Sequence, residues 1–339
     1  MTYPEHLNLK DSTNLVASVP YLIGYHPHDQ IVIVAAKNFQ VLFAAAATLP
    51  HFNMAGGATD IAVRLTAHGP NQVILVGYGP REAVIPLIDR ATDAFTNLNV
   101  TVLAAFCTYD DWLWHLHCDN AQCQTGMAFD ASTTEAAAQA TFTGLVAVED
   151  RYTYIARLNP VTGEERKGMQ TALTAAHRHL SDLFAGTSQE PIRTRVRQLT
   201  EQLLDAALAT YEKAERLTDE AAGLLITVLS VCLLGDGVLS RVNGEDRDIR
   251  LWTDLTRRAD PDHAAAPAAL LALAALQSGQ GLLARLAIER AKESAPMDPL
   301  IPLIAEAIEY GVTPEAVRSL LHPEEGSNST RNADGTWQF

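Results

Sequence analysis

The segment QVILVGYGPREAVIPLIDRATDAFTNLNVTVLAAFC, residues 72–107, decides the fold class of the first part of the chain. It opens with the apolar, β-rich run 72–78 and closes with a second such run, residues 100–107. Between them, residues 81–95 repeat apolar side chains at the period of an α-helix. The order strand, helix, strand predicts two parallel strands joined by a right-handed crossover.

The upstream sequence adds an antiparallel pair to this sheet. Residues 30–36 and 40–49 are β-rich runs that only three residues separate, a spacing typical of a hairpin. Residues 11–24 and 59–68 have helical patterns and end at glycines. We therefore expect residues 1–130 to form an α/β domain with a mixed sheet.

The pattern changes after about residue 130, where Ala- and Leu-rich segments at helical spacing replace the strands. These segments are residues 133–145, 151–158, 163–184, 191–214, 218–234 and 245–258. They predict an all-α domain over residues 131–322. The polar stretch 323–339 predicts a disordered tail.

Residues 265–296 have the pattern of a helical hairpin within that domain. Small or apolar side chains recur at Ala268, Leu271, Ala272, Ala275, Ala284, Ile288 and Ala291. Gly279 marks the turn between the helices, and Pro296 marks the end of the second. The pattern resembles a tetratricopeptide unit, in which small residues let two helices approach closely. An ordinary helical hairpin is the alternative, because stacked repeats need about three units for stability.

The charge of the chain restricts its partners. The 339 residues include 25 Lys and Arg against 40 Asp and Glu, which gives a formal net charge of -15. Residues 1–150 alone hold five basic and fourteen acidic side chains. Because nucleic-acid affinity comes largely from clustered cations, we expect no nucleic-acid partner.

The sequence also favours a cytoplasmic location. Its longest apolar runs fall short of the roughly 20 residues that span a bilayer, and the N-terminal residues lack a secretory pattern. The four cysteines, Cys107, Cys118, Cys123 and Cys232, are scattered unevenly and do not suggest a disulfide framework. We expect no contact with a membrane and no cofactor.

The loop 24–29 is a first candidate site, because it joins a helix end to a buried strand. His26 and Asp29 could act as a general base and its orienting carboxylate, with Tyr25 as a hydrogen-bonding or stacking group. The structural interpretation is favoured, since glycine, proline and aspartate are also the residues that build such a turn.

The turn Tyr78-Gly79-Pro80-Arg81 is a second candidate. Backbone amides at a helix N-terminus can hold an anion, but Glu82 stands where a dinucleotide-binding sequence would have its third glycine. A plain turn is therefore favoured. Tyr78, Gly79 and Arg81 should nevertheless lie at the carboxyl edge of the parallel strands, where a small-molecule pocket would open.

Cys118 and Cys123 are candidates for redox or metal chemistry. Two further ligand types, His115 and His117, lie nearby, but strict strand alternation places both histidines on the face opposite Cys118. Three alternatives stay open for the cysteines: core residues, a reversible disulfide, or metal ligands completed from elsewhere. Our expectation is that no metal is bound.

Two clusters of arginines stand out in the helical half, Arg193 to Arg197 and the pair Arg257 and Arg258. Nearby glutamates, Glu190 and Glu201, can neutralise the first cluster through pairs one helical turn apart. We expect both clusters to lie on solvated helix faces.

These residues together resemble an actinobacterial protein family called domain of unknown function 4192. The run LVASVPYLIGYHPHDQIVIV, residues 15–34, is similar to the opening motif of that family, and Trp114, Cys118, Cys123 and Gly126 are similar to a second motif. The chain departs from it at Gln124, where the family usually has a further cysteine. The hairpin near residues 268–296 is similar to the family's C-terminal part. The family name implies no activity.

The main functional hypothesis is an interaction or regulatory protein. Its α/β domain would sense a small molecule, and its helical domain would dock a protein partner. The first alternative is an enzyme that uses His26 and Asp29 beside Gly79, and the second is a thiol or metal switch at Cys118 and Cys123. Sequence signatures of the common hydrolases, NTPases and metalloproteases are absent, which argues against an enzyme.

Overall fold

The computed structural model describes residues 12–118, 123, 125–142, 147–185, 191–231, 236–310, 312 and 314–321. The chain divides between Arg157 and Leu158 into two compact units. Cys232 and the predicted tail, residues 323–339, lie outside the described residues.

The first unit is built on a six-stranded sheet in the order β2-β1-β3-β4-β5-β6. Its strands are β1 Gln30–Lys37, β2 Gln40–Thr48, β3 Gln72–Tyr78, β4 Thr101–Tyr109, β5 Trp112–Leu116 and β6 Met127–Ala128. The predicted hairpin is confirmed, since β1 pairs with β2 in antiparallel fashion. The predicted parallel pair is also confirmed, because β3 and β4 are parallel neighbours. The remaining neighbours pair antiparallel, so the sheet is mixed.

Helices cover both faces of this sheet. The helices of the first unit are α1 Ser12–Ile23, α2 Leu49–Asn53, α3 Gly57–Thr66, α4 Arg81–Asn97, α5 Glu135–Phe142 and α6 Arg151–Ala156. Ile31 and Ile33 pack with α2, α3 and α4 on one face. Val32 and Val34 pack with α1 on the other face. Strand β1 is thus apolar at successive positions because both of its faces are buried.

The second unit is helical throughout its described residues. Its helices are α7 Gly163–Ala185, α8 Ile192–Glu212, α9 Asp219–Val231, α10 Asp236–Leu239, α11 Asp246–Arg258, α12 Ala265–Gln277, α13 Gly281–Ser294, α14 Leu300–Glu309 and α15 Pro314–Leu321. Every residue of α12 from Ala266 to Gln277 is buried, and this helix contacts α9, α11, α13, α14 and α15. It is the central helix of the unit.

The predicted fold class is confirmed, because a mixed sheet with flanking helices precedes an all-helical region. The predicted hairpin at residues 265–296 is present as α12 and α13, joined through the left-handed Gly279. Its likeness to a tetratricopeptide unit stays a prediction. Among the described residues, no helix has both the length and the apolar composition needed to cross a membrane.

Candidate functional site

The loop before β1 is held by its backbone and by one buried ring. Tyr25 is only 2% exposed, and its hydroxyl donates a hydrogen bond to Gln30 Oε1 at 2.8 Å. Its ring centroid lies 6.1 Å from that of Tyr154. The backbone N–H of His26 donates to the carbonyl of Val148 at 2.9 Å. These contacts make the loop part of the core of the first unit.

His26 and Asp29 do not contact each other through hydrogen bonds. The His26 ring is partly buried, and this burial, followed by the nearby His28, lowers the pKa of His26 below its usual value. The Asp29 side chain is exposed, and its carboxylate has no hydrogen-bond partner within the described residues. A carboxylate orients a histidine through a direct hydrogen bond, and this structure contains no such bond between the two groups. Their catalytic role stays a prediction.

The Asp29 carboxylate lies beside the turn that follows β3. The backbone of Asp29 is left-handed, with φ 49°, and its carbonyl accepts a hydrogen bond from the Leu49 N–H at 2.9 Å. A Cβ atom placed on Gly79, where φ is 144°, would come within 3.2 Å of Asp29 Oδ1. The structure therefore brings together two of the candidates. Because Glu82 also lies in the first turn of α4, this helix N-terminus is a poor site for an anion.

Tyr78 and Arg81 lie on opposite faces of the sheet. The Tyr78 hydroxyl lies 3.5 Å from the carbonyl oxygen of Val16 in α1, and burial raises the pKa of Tyr78. The Arg81 guanidinium carbon lies 5.8 Å from the centre of the Trp114 ring, which packs on the opposite face. The Nε atom of Arg81 is buried and has no hydrogen-bond partner among the described residues.

A cavity of the first unit opens at a different position along α4. It is lined by residues of α2 and α3 and by Arg90, Asp93 and Asn97, which belong to the C-terminal half of α4. Arg90 Nη2 donates to Asn53 Oδ1 at 3.0 Å at its border. A small-molecule pocket at Gly79, at the other end of α4, stays a prediction.

A third group of candidates forms a compact cluster after β5. One ligand atom from each of His115, Cys118 and Cys123 lies within 4.8 Å of the other two. The His115 ring packs on Phe106, with ring centroids 4.7 Å apart. Both cysteines are partly buried thiols. We refer to His115, Cys118 and Cys123 as the His-Cys cluster.

The left-handed conformation of His117 creates this cluster. Strand β5 ends at Leu116, and His117 has φ 57°, so the alternation of side chains stops there. His117 Nε2 lies 2.7 Å from Asp89 Oδ1 on α4. The Cys118 thiol instead lies within 4.8 Å of a ring nitrogen of His115. The expectation that both histidines lie opposite Cys118 is wrong for this reason.

The electrostatics of the His-Cys cluster favour a neutral His115 and a protonated Cys123 when no cation is bound. Burial, followed by the nearby His117, lowers the pKa of His115, which favours the neutral imidazole that metals bind. The pKa of Cys123 is raised, chiefly by its hydrogen bond with Cys118. A bound cation would offset the repulsion between two neighbouring thiolates and so favour their ionisation.

The sequence comparisons decide the family. The model of the family described as Domain of unknown function (DUF4192) matches residues 13–315, most of the chain and parts of both units. The chain belongs to the DUF4192 family. No curated protein and no solved structure matches the chain significantly.

The predicted membership of the DUF4192 family is thus confirmed, and the correspondence of residues 15–34 and of Trp114 to Gly126 to its motifs stays a prediction. The structure explains one residue of the second motif. Gly126 has φ 79°, and a Cβ atom there would lie 2.4 Å from Trp114 Nε1. Only glycine meets both demands without strain.

Sequence reasoning on this DUF4192 protein missed His115 as a partner of the two cysteines. The sequence did contain a signal for this arrangement, namely His117. Histidine adopts a left-handed backbone more often than most residues, and a left-handed residue at position 117 ends the strand before Cys118. The expectation for Arg257 and Arg258 was also wrong in part. Arg258 is only 2% exposed and is not on a solvated face.

Proposed function

We propose that this DUF4192 protein is a cytoplasmic regulatory protein that responds to a thiolate-preferring metal ion such as Zn²⁺. The His-Cys cluster is the input, and the helical unit docks a protein partner. The observation that carries the proposal is the convergence of three soft ligand atoms within 4.8 Å. This proposal departs from the expectation of no metal, because one ligand atom of His115 lies within 4.8 Å of those of both cysteines.

The donor set supports this choice of metal. Zn²⁺ binds histidine nitrogen and cysteine sulfur in tetrahedral sites. Three protein ligands leave one position for water or for a group from a partner, which suits a reversible site better than a purely structural one. In the reducing cytoplasm the thiols of Cys118 and Cys123 stay free to act as ligands.

The metal proposal is tested by binding to the full chain. Co²⁺, used as a spectroscopic substitute for Zn²⁺, should bind with one equivalent per chain and give a thiolate-to-cobalt absorption band. We expect Cys118→Ser, Cys123→Ser and His115→Ala to weaken binding by at least about tenfold, since even residues behind the ligands contribute this much.

Two controls make this test specific. His117→Asn removes the neighbouring imidazole, which faces Asp89, while asparagine still adopts the left-handed backbone that the cluster needs. Cys107→Ser removes a buried thiol outside the cluster. Both variants should retain the cobalt band. The proposal is wrong if the wild type binds no Co²⁺ or Zn²⁺, or if the Cys118→Ser, Cys123→Ser double variant binds as well as the wild type.

The reversible disulfide is a second candidate, favoured by the hydrogen bond between Cys118 and Cys123. Intact mass measured without reductant distinguishes it from a metal site. A quantitative Cys118–Cys123 disulfide in protein kept at cytoplasmic redox potential would support the thiol switch and contradict the metal site.

The docking role of the helical unit is supported by apolar side chains that it exposes. Met297, Leu303, Tyr310 and Leu320 are exposed by 91%, 61%, 71% and 77%. All four lie within residues 297–320, and exposed apolar side chains that form a contiguous patch are typical of a protein interface. A photo-crosslinking residue at Leu303 or Leu320 in the host cell should yield one discrete adduct, whereas the same residue at the exposed Glu293 should not. Equal labelling at all three positions would contradict the docking role.

A further inference from the structure

A cavity in the helical unit collects positive charge in an acidic protein. It holds about 380 Å³ of empty space, its mouth included, between α7, the C-terminal end of α11 and α13. Its lining includes Arg166, Arg257, Arg258 and Arg290, together with the apolar side chains of Met169 and Leu173. We refer to this space as the arginine cavity.

One of the four arginines is neutralised by the protein itself. The Arg258 Nη2 atom lies 2.5 Å from Asp219 Oδ1, and its Nη1 atom lies 3.0 Å from Asp254 Oδ2. Nη1 also donates to the carbonyl of Leu217 at 2.9 Å. Arg258 therefore forms one wall of the cavity and has little capacity left for a ligand.

The other three arginines have no carboxylate partner among the described residues. The Nε and Nη2 atoms of Arg290 are buried and make no hydrogen bond there. Arg257 donates through Nε to the carbonyl of Asn159 at 3.2 Å, which leaves its charge uncompensated. Arg166 forms no ion pair within the described part of the chain.

Carboxylates are abundant in the chain, with 40 acidic against 25 basic side chains. Several arginines elsewhere are paired, as Arg64 is with Asp60 and Arg247 is with Glu212. The arginine cavity differs from other unpaired arginines of the described residues because it brings three of them to one space. Burying guanidinium N–H groups without a partner is unfavourable. Asp260 also lines the cavity, but its Oδ1 atom is held at 2.5 Å by His263 Nδ1.

We propose that the arginine cavity binds the phosphate group of a small molecule. Three uncompensated guanidinium groups match the charge of a phosphate, about −1.5 to −2 at pH 7, better than the single charge of a carboxylate. Guanidinium groups also bind phosphate oxygens with two parallel hydrogen bonds. A recess of about 380 Å³, its mouth included, suits one anionic group on a small molecule and does not suit a nucleic-acid backbone.

Titration of the full chain tests this site. Inorganic phosphate and glycerol 3-phosphate are added at constant ionic strength, and binding is followed by calorimetry, with acetate and a phosphoserine peptide in parallel. We expect a dissociation constant of about 1 mM or lower for one or both phosphates, with weaker binding of acetate and of the peptide. A preference for glycerol 3-phosphate would identify a phosphate ester as the ligand, and a preference for inorganic phosphate would identify the free ion.

Variants on one helix provide the comparison. Arg290→Gln should weaken phosphate binding by at least about tenfold, because it removes the buried N–H donors. Arg285→Gln, an exposed arginine on the same helix, should leave binding unchanged. If Arg290→Gln fails to fold, Arg166→Gln serves in its place, since Arg166 is exposed and unpaired.

Three results would overturn the proposal. They are no phosphate binding at about 10 mM, equal effects of the Arg290 and Arg285 variants, and tighter binding of acetate or of the phosphopeptide than of either small phosphate. None of these results depends on the His-Cys cluster, so this site can fail or succeed independently of the proposed metal response.

Discussion

Single residues with left-handed backbones decide where chemistry is located in the first unit. His117, with φ 57°, ends β5 and lets Cys118 approach His115. Asp29, with φ 49°, directs its carboxylate to the turn at Gly79. In both cases one backbone angle of a non-glycine residue, at a cost of about 1–2 kcal/mol, determines which side chains meet.

The Gly126→Ala substitution should destabilise the first unit by about 2–5 kcal/mol. It combines the strain of an alanine at positive φ, about 1–2 kcal/mol, with overpacking against Trp114, about 1–3 kcal/mol. Gly69→Ala is the matched control, because Gly69 has φ 74° but no atom within 4 Å of the added Cβ. Chemical denaturation of the three proteins measures the difference, and equal losses in both variants would contradict the contact with Trp114.

Asp248 should make the stability of the helical unit depend on pH. It is fully buried in the first turn of α11, and this burial raises the pKa of Asp248 to about 6. A raised pKa means that the folded state holds a proton that the unfolded state has already lost. Stability from this group is therefore present below about pH 4, the usual pKa of aspartate, and is lost as pH rises through about 6.

Asp248→Asn should remove this dependence, since asparagine resembles the protonated acid. We expect the variant to match the wild type near pH 4 and to be more stable at pH 7 by up to about 3 kcal/mol. The exposed Asp246→Asn is the control and should show no such change. Urea denaturation across this pH range provides the measurement, and a variant less stable than the wild type at pH 7 would contradict the expected sign.

At the scale of elements, the loop before β1 acts as a joint between α1 and the sheet. Its fixed points are the buried Tyr25 ring and the backbone bond from His26 to Val148. The side chains of His26 and Asp29 contribute little to this joint. The structural role of the loop therefore depends on Tyr25 and on the backbone. A catalytic role would instead depend on the side chains of His26 and Asp29, so substitutions can distinguish the two roles.

Three substitutions in this loop test that separation. Tyr25→Ala should cost about 3–5 kcal/mol, because it empties a buried aromatic position. His26→Ala should cost less than about 1 kcal/mol, and Asp29→Gly should cost nothing, since glycine adopts a left-handed backbone freely. Thermal denaturation measures all three. Loss of a ligand or of an activity in a folded His26→Ala variant would instead favour the enzyme alternative.

At the scale of the whole molecule, the described residues between 131 and 157 belong to the same compact unit as the sheet. The Ala136 N–H donates to Asn14 Oδ1 at 3.0 Å, and Tyr154 packs on Tyr25. Division of the chain between Arg157 and Leu158 follows from such contacts. The sequence-based boundary at residue 130 marks instead the place where the described strands end.

Fragments should reflect this division. We expect residues 1–157 to be more stable than residues 1–130, because the shorter fragment loses Tyr154 and the backbone bonds of Val148. Residues 158–339 alone should give a helical circular dichroism spectrum. Substantial β-structure in that fragment, or equal stability of the two N-terminal fragments, would contradict this description.

The sequence by itself determined the architecture, because periodicity is local. The β-α-β order of residues 72–107, the hairpin of residues 30–49 and the helical pattern after residue 130 each follow from spacings within a few turns or strands. The first family motif, residues 15–34, is also a local feature, because it covers one helix, one loop and one strand that follow each other in the sequence. The same local patterns place Gly79 at the carboxyl edge of the parallel strands.

Only the tertiary structure decided which side chains meet. The contact of His115 with Cys118 depends on one backbone angle at His117, which strand alternation does not contain. The arginine cavity depends on the packing of α7, α11 and α13, which brings Arg166, Arg257 and Arg290 together from positions up to 124 residues apart. The tertiary structure also decides which arginines of the cavity form ion pairs with carboxylates, as Arg258 does, and which do not. The periodicity of a sequence indicates which face of a helix or strand is buried. It does not indicate which side chains of other elements pack against that face, and a binding site depends on those side chains.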